Sequence, residues 1–181
     1  MNDGLIPQRY AKALYKYALE KADDTQLYEE MKRVADAFAA RPDLQKVMDN
    51  PYVGAPDKER LLLAAAGENP SDAYKAFVRL VLSHDREGFM RRIALAYRGI
   101  YRDAHHIAQV VITTAAPLPD AEMQKLQGIV RKAFPEATLE VSCQVNPELI
   151  GGFVIDVDST RMDASISNEI EQTRQNLLRR N

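Results

Sequence analysis

At residues 146–156 the chain reads NPELIGGFVID, and at residues 162–166 it reads MDASI. The first segment opens with an Asn-Pro turn and leads through a glycine pair, Gly151 and Gly152, into a predicted strand. Glycines at a strand entry allow positive φ angles or a close approach of two backbones, because they carry no Cβ. Asp163 precedes a helix predicted to begin at about Ser165, where a capping residue is expected. We predict that Gly151, Gly152 and Asp163 form a structural motif.

The chain has the composition of an ordinary globular protein. Its 181 residues are 46% hydrophobic and 28% charged, which suffices to bury a core without disulfides. The 24 basic and 26 acidic residues leave a net charge of -2, which gives no general attraction for nucleic acid or anionic lipid. We find no signal or transit peptide pattern and no apolar run of about 18 residues. We therefore expect contact with a membrane only through a partner.

Residues 105–181 predict a small α/β domain with the order strand-helix-strand-strand-helix. The strands are expected over residues 107–115, 138–145 and 153–157, and a helix follows the first and the last of them. The first two strands should be parallel through a right-handed crossover, and the last two antiparallel through the turn at residues 146–152. Cys143 falls on the apolar side of its strand and is expected to be buried.

Residues 1–104 show the helical period almost throughout and predict a bundle of six helices. The fold class is therefore α+β, with a helical domain over residues 1–104 and a three-stranded α/β domain over residues 105–181. Two of the helices, predicted near residues 6–21 and 72–83, are unusually apolar. In the first of them the charged residues share an arc of about 80°, and about 240° of the circumference is apolar or tyrosine.

Two interpretations fit these wide apolar arcs. Both helices could be central and surrounded by their neighbours, or they could lie side by side and leave a groove for an amphipathic partner helix. The helical wheel also leaves open which part of the first helix would face the groove. One choice includes Tyr10 and Leu14, and the other includes Tyr15 and Leu19.

Candidate catalytic and metal-binding residues are few. Asp156, Asp158 and Asp163 lack the spacing of a calcium loop, and the glycine pair leads into a strand rather than a helix that could bind phosphate. No nucleotide motif, catalytic triad or paired acid emerges, so we predict no catalytic residue, cofactor or metal. A nucleic-acid-binding adaptor, using the small sheet as its platform, and a hydrolase built on the aspartates are kept as alternatives.

In four segments the chain resembles the delta subunit of the bacterial proton-translocating ATP synthase, which is similar to the mitochondrial oligomycin-sensitivity-conferring protein. The segments are RYAKALY at residues 9–15, Asn50-Pro51 with Lys58 and Leu61-Leu62, FVRLVL at residues 77–82 with Arg86, and residues 145–156 followed by 163–166. They occur in the expected order over nearly the whole chain.

The resemblance implies a non-catalytic subunit of the peripheral stalk, or stator, that links the catalytic head to the membrane sector and resists rotor torque. It implies that the N-terminal domain binds N-terminal helices of the alpha subunits between its first and fifth helices. Carried over by residue, the contacts are Tyr10, Ala13, Leu14, Tyr17, Ala76 and Leu80. The C-terminal domain is implied to bind the C-terminal helices of the b subunit. The implied location is the cytoplasmic side of the cell inner membrane.

Overall fold

The computed structural model describes residues 4–135, 137–158 and 160–179. Contacts between Cα atoms divide the chain into two compact units, between Ala104 and His105. The N-terminal unit is helical and the C-terminal unit combines helices with a sheet, so the predicted α+β class is confirmed. No helix in the described part of the chain is long and apolar enough to cross a bilayer.

The described part of the N-terminal unit contains the following α-helices: α1 (Leu5–Lys21), α2 (Asp24–Ala40), α3 (Pro42–Asp49), α4 (Ala55–Ala66), α5 (Asp72–Ser83) and α6 (Met90–His105). A short 3₁₀ turn, Glu87–Phe89, leads into α6. The helices begin and end where Pro or Gly interrupts the chain, as at Pro42, Pro56 and Gly67. α2 and α6 lie at the centre, because Leu27, Met31 and Val34 of α2 and Ile93 and Tyr97 of α6 are fully buried.

Hydrogen bonds donated to Glu30 of α2 fix the position at which α5 begins. The buried carboxylate of Glu30 accepts hydrogen bonds from the Ser71 amide at 2.6 Å and the Ser71 hydroxyl at 2.7 Å. The same hydroxyl oxygen accepts the Tyr74 amide and so caps α5. The Tyr74 hydroxyl donates to the Leu62 carbonyl at 2.8 Å. Burial, and then the charge of Glu30, raises the pKa of Tyr74.

A buried ion pair connects three elements on another side of the unit. Lys58 of α4 donates to the Met48 carbonyl at the end of α3, at 2.9 Å, and to the carboxylate of Glu87, at 2.6 Å. The two charged side chains are only 5% and 14% exposed. Because Glu87 follows α5 by four residues, this pair also holds the connection between α5 and α6.

The described part of the C-terminal unit contains a four-stranded sheet and two α-helices. Its elements are β1 (Ile107–Thr114), α7 (Asp120–Ala133), β2 (Thr138–Val145), β3 (Gly152–Val157), β4 (Thr160–Ser165) and α8 (Ile166–Arg179), with a 3₁₀ turn at Pro147–Leu149. The strand order is β2-β1-β3-β4. α7 covers one face of the sheet, where Leu126 and Val130 pack on Val110, Ile112 and Ile155.

Two predictions about this sheet were wrong. It has four strands rather than three, because residues 160–165 pair with β3 although their sequence is largely polar. The predicted pairing of the second and third strands does not occur. β1 pairs with β2 in parallel and with β3 antiparallel. The Asn146 amide donates to the Thr114 carbonyl, at 2.8 Å, so the chain leaving β2 passes the end of β1 before β3 begins.

The prediction of a buried Cys143 was also wrong. The Cys143 thiol is exposed on β2, one of the two edge strands of the sheet, and lies 3.4 Å from the sulfur of Met123. The alternation of apolar and polar residues along the strand assigned Cys143 to the correct side of it. However, β2 lies at an edge of the sheet and is only partly covered there, since Val145 on the same strand is 51% exposed.

Candidate partner-binding sites

An open groove lies between α1 and α5, which run antiparallel. Its cavity volume is about 420 Å³. All six residues predicted to contact a partner line it, together with Ala73 and Phe77: Tyr10, Ala13, Leu14 and Tyr17 from α1, and Ala76 and Leu80 from α5. The structure thus brings the six residues together on one surface.

The groove has a buried floor and exposed walls. Leu14 and Phe77 form the floor and are 3% and 5% exposed, whereas Tyr17 and Leu80 at the rim are 42% and 48% exposed. Tyr10 meets Phe77 edge to face, with ring centroids 6.4 Å apart, and so joins the two helices. The two small residues, Ala13 and Ala76, cannot fill the space between the helices, and a trough remains.

The opposite side of α1 is already covered. Tyr15 packs edge to face on Tyr97 and Tyr101 of α6, at centroid distances of 6.0 and 6.5 Å. Burial, followed by the charge of Asp24, raises the pKa of Tyr15. The wide apolar arc of α1 is thus only partly covered within the unit. One side of α1 packs within the unit, and the side with Tyr10 and Ala13 remains open.

The predicted structural motif forms a corner between β3, β4 and α8. Gly152 has a φ of +74° and lies opposite Ser165 in the sheet, where a Cβ would come within 2.2 Å of the Ala164 carbonyl oxygen. The Gly151 carbonyl accepts the amide of Ile166, the first residue of α8, at 3.1 Å. The segments 146–156 and 162–166, which are separate in sequence, therefore meet in space.

Asp163 completes this corner. One of its carboxylate oxygens accepts the Ser165 hydroxyl at 2.6 Å and the Ser165 amide at 3.0 Å. These hydrogen bonds lower the pKa of Asp163. The Ser165 hydroxyl oxygen in turn accepts the Asn168 amide, at 3.3 Å, in the first turn of α8. Asp163 thus positions the residue that caps the helix.

The other two aspartates considered as metal ligands, Asp156 and Asp158, each have a hydrogen-bond partner of their own. Asp156 accepts two hydrogen bonds from the Arg161 guanidinium, at 2.6 and 3.1 Å, and Asp158 accepts the Gln109 amide at 3.1 Å. Within residues 4–135, 137–158 and 160–179, no group of three His, Cys, Asp or Glu side chains is placed to hold a metal ion.

α8 presents an exposed apolar face. Ile166, Ile170 and Leu178 are 43%, 55% and 67% exposed, and they share an arc of about 120° on the helix. Thr173 and Arg174 extend this face into a shallow groove. The sequence predicted the helix but did not identify its outer face as a surface, because apolar spacing alone does not tell which neighbour it meets.

Comparison with known proteins gave consistent matches over the whole chain. A family model described as ATP synthase delta (OSCP) subunit matches residues 6–177. The ATP synthase subunit delta of Parabacteroides distasonis is 39% identical over 178 residues, which cover 98% of both chains. That of Phocaeicola vulgatus is 35% identical over 179 residues, which cover 98% of this chain and 96% of the relative. A chain in the mitochondrial ATP synthase hexamer of Toxoplasma gondii has the same fold, with a TM-score of 0.73 at 18% identity and 98% coverage of both chains.

Proposed function

The chain belongs to the ATP synthase delta (OSCP) subunit family, and from this membership we propose how it binds its neighbours. It is a non-catalytic, peripheral-stalk subunit of a proton-translocating ATP synthase. We propose that the N-terminal unit binds an N-terminal helix of an alpha subunit in the groove between α1 and α5. The C-terminal unit binds the C-terminal helices of the b subunit. The family membership removes the reason for considering a nucleic-acid-binding adaptor.

The open, apolar groove carries the first part of the proposal. From Tyr10 to Tyr17 it follows α1 for about 10 Å, the length of about two helical turns. An amphipathic helix offers one apolar side chain per turn or more on one face, which suits such a trough. Each well-buried anchor contributes roughly 1.5–3 kcal/mol before the cost of association, so three or four anchors would give a stable complex.

Replacing Ala13 by aspartate is expected to abolish binding of the helix from the alpha subunit. Ala13 is exposed in the isolated chain, so the change should leave the fold intact, but in the complex the new carboxylate would be buried against apolar side chains. We expect an affinity at least about 100-fold lower, which corresponds to a cost of about 3 kcal/mol. This affinity is measured by titration calorimetry of the full chain with a peptide that copies the N-terminal segment of the alpha subunit.

The matched control is Gln8→Asp. Gln8 is also exposed on α1, about 140° around the helix from Ala13, and its replacement adds the same charge. Leu80→Asp tests the opposite wall of the groove and should behave like Ala13→Asp. Normal binding by both groove variants, with circular dichroism unchanged, would show that the alpha subunit binds elsewhere.

The exposed face of α8 supports the second part of the proposal. Ile166, Ile170 and Thr173 recur at intervals of four and three residues, the spacing with which a helix packs along another long helix. Because Ile170 and Leu178 remain more than half exposed, this face has apolar surface available for a partner. We place the contact with the b subunit on this face.

Replacing Ile170 by aspartate should weaken binding of the b subunit by about 30-fold or more, because it puts a charge into an apolar helix contact. Fluorescence anisotropy tests this by measuring how the full chain binds a peptide that copies the C-terminal segment of the b subunit. Gln172→Asp adds the same charge about 200° around α8 and should bind normally. Equal affinities for the two variants would move this contact to another surface.

These two contacts give the subunit a mechanical role. Held at one unit by the head and at the other by the stalk, it keeps the head from turning with the rotor, and it needs no cofactor to do so. We propose that it lies on the cytoplasmic side of the cell inner membrane, attached through its partner subunits.

A further inference from the structure

The groove between α1 and α5 continues into a second cavity towards the N-terminal end of α1. This cavity has a volume of about 540 Å³ and shares Tyr10, Ala13 and Leu80 with the first. Its remaining lining includes three basic side chains, Arg9, His84 and Arg86. We call these three residues the basic end of the groove.

The basic end carries unbalanced positive charge. No acidic side chain lines this cavity, and within the described part of the chain neither Arg9 nor Arg86 forms an ion pair. Among the described residues, no charged side chain lines the rest of the groove, which extends to Tyr17 and Ala73. The groove is therefore electrically asymmetric along its length.

The dipole of α5 accounts for only part of this cluster. Arg86 follows the C-terminus of α5 by three residues, and a cation near the C-terminus of a helix is stabilised by the helix dipole. His84 lies against the last turn of the same helix, with its ring nitrogen Nδ1 2.8 Å from the Leu80 carbonyl oxygen. Arg9 gains nothing in this way, because it lies near the N-terminal end of α1, where the dipole favours negative charge. Arg9 lines the same cavity as Arg86, and this placement of two arginines suits a ligand that carries negative charge.

We propose that the basic end binds a carboxylate of the helix that occupies the groove. This inference rests on the proposed function and adds to it the polarity of the partner helix, that is, the direction in which the helix lies in the groove. The partner is an amphipathic helix whose apolar face covers Ala13 and Leu80, and it carries an Asp or Glu about one turn beyond that face. Since positive charge is concentrated at one end, the pair fixes the direction in which the partner helix lies.

A double-mutant cycle tests this polarity. The protein is the full chain, with and without Arg9→Gln/Arg86→Gln, and the probe is the peptide from the N-terminus of the alpha subunit, with the acidic residues at either end replaced by glutamine. We expect the arginine changes to lower the affinity threefold to tenfold at low salt, and less at high salt. Glutamine at one end of the peptide should cause the same loss, with little further loss when combined with the protein changes.

The control is Lys12→Gln/Lys16→Gln, which removes the same charge from two exposed residues of α1 that line neither cavity. It should change the affinity less than twofold. The inference would be overturned if this control lost as much affinity as the arginine variant, or if the losses of affinity in the cycle were additive. A peptide with no acidic residue at either end would also overturn it. If Ala13→Asp abolishes binding and the arginine changes leave the affinity unchanged, only the proposed direction of the partner helix fails. If Ala13→Asp also binds normally, the groove fails as well.

Discussion

Replacing Gly152 by alanine is expected to unfold the C-terminal unit and to leave the N-terminal unit folded. The φ of +74° at Gly152 is one that residues with a Cβ adopt only under strain. A Cβ built there would also lie 2.2 Å from the Ala164 carbonyl oxygen and 3.1 Å from the Ser165 Cα. Both contacts are with the backbone of β4, so relief requires separating two paired strands.

The expected cost is large compared with the stability of so small a unit. The strained φ alone costs on the order of 1–3 kcal/mol, and displacing the β3–β4 pairing adds to it. A domain of about 75 residues is held by only about 3–5 kcal/mol. The same shift would disturb the Asp163–Ser165 hydrogen bonds that begin α8. The surface proposed for the b subunit should therefore be lost with the fold.

Gly151→Ala is the matched control, because the two glycines are adjacent. A Cβ at Gly151 would meet only the side chain of Ile166, with Cδ1 at 2.6 Å and Cγ1 at 3.4 Å, and this half-exposed side chain can rotate away. We expect a loss below about 1 kcal/mol. The two variants are compared by amide NMR spectra of the full chain. Signals of the C-terminal unit should lose their dispersion in Gly152→Ala only. Binding of the peptide from the alpha subunit should persist in both variants. Equal melting temperatures for the two variants would contradict the role given to Gly152.

The helices of the N-terminal unit were the most predictable part of the fold. α5 spans Asp72–Ser83, as its Ser71 cap and apolar period indicate. The helical wheel also revealed excess apolar surface on α1 and α5. It could not decide between the sides of α1, because the choice depends on the tyrosines of α6, which are distant in sequence. Tyr97 and Tyr101 cover Tyr15, and so the groove forms beside Tyr10.

The sheet was less predictable, for two physical reasons. β4 is an edge strand with five of its six residues exposed, so it needs no apolar alternation, and the sequence showed none. Strand pairing is a non-local property, and the six residues from Asn146 to Gly151 could serve a hairpin or a passage across β1. The sequence predicted a structural role for the glycine pair. It did not predict β4, the strand that Gly152 approaches closely.

The burial of Lys58 could not be predicted from the sequence either, and replacing this residue is expected to have the second large effect on stability. As one lysine in the charged run from Asp57 to Arg60 it appeared in the sequence only as part of a family segment, yet it is 4% exposed and connects α3, α4 and the turn before α6. Lys58→Met is expected to destabilise the N-terminal unit by about 3–5 kcal/mol. The change leaves the Glu87 carboxylate buried without its cation and the Met48 carbonyl without a donor. Urea denaturation followed by circular dichroism measures the loss.

Two comparisons separate the buried pair from a general effect of lysine. Lys46→Met removes a lysine whose partner is Asp43 at 2.8 Å, but both side chains are about 80% exposed, and the expected loss is below about 0.5 kcal/mol. The double change Lys58→Met/Glu87→Leu removes both charges and should recover at least about 2 kcal/mol of the loss. Full recovery is not expected, because the Met48 carbonyl still lacks its donor. A double variant as unstable as Lys58→Met would show that Lys58 acts through packing rather than through the charge of Glu87.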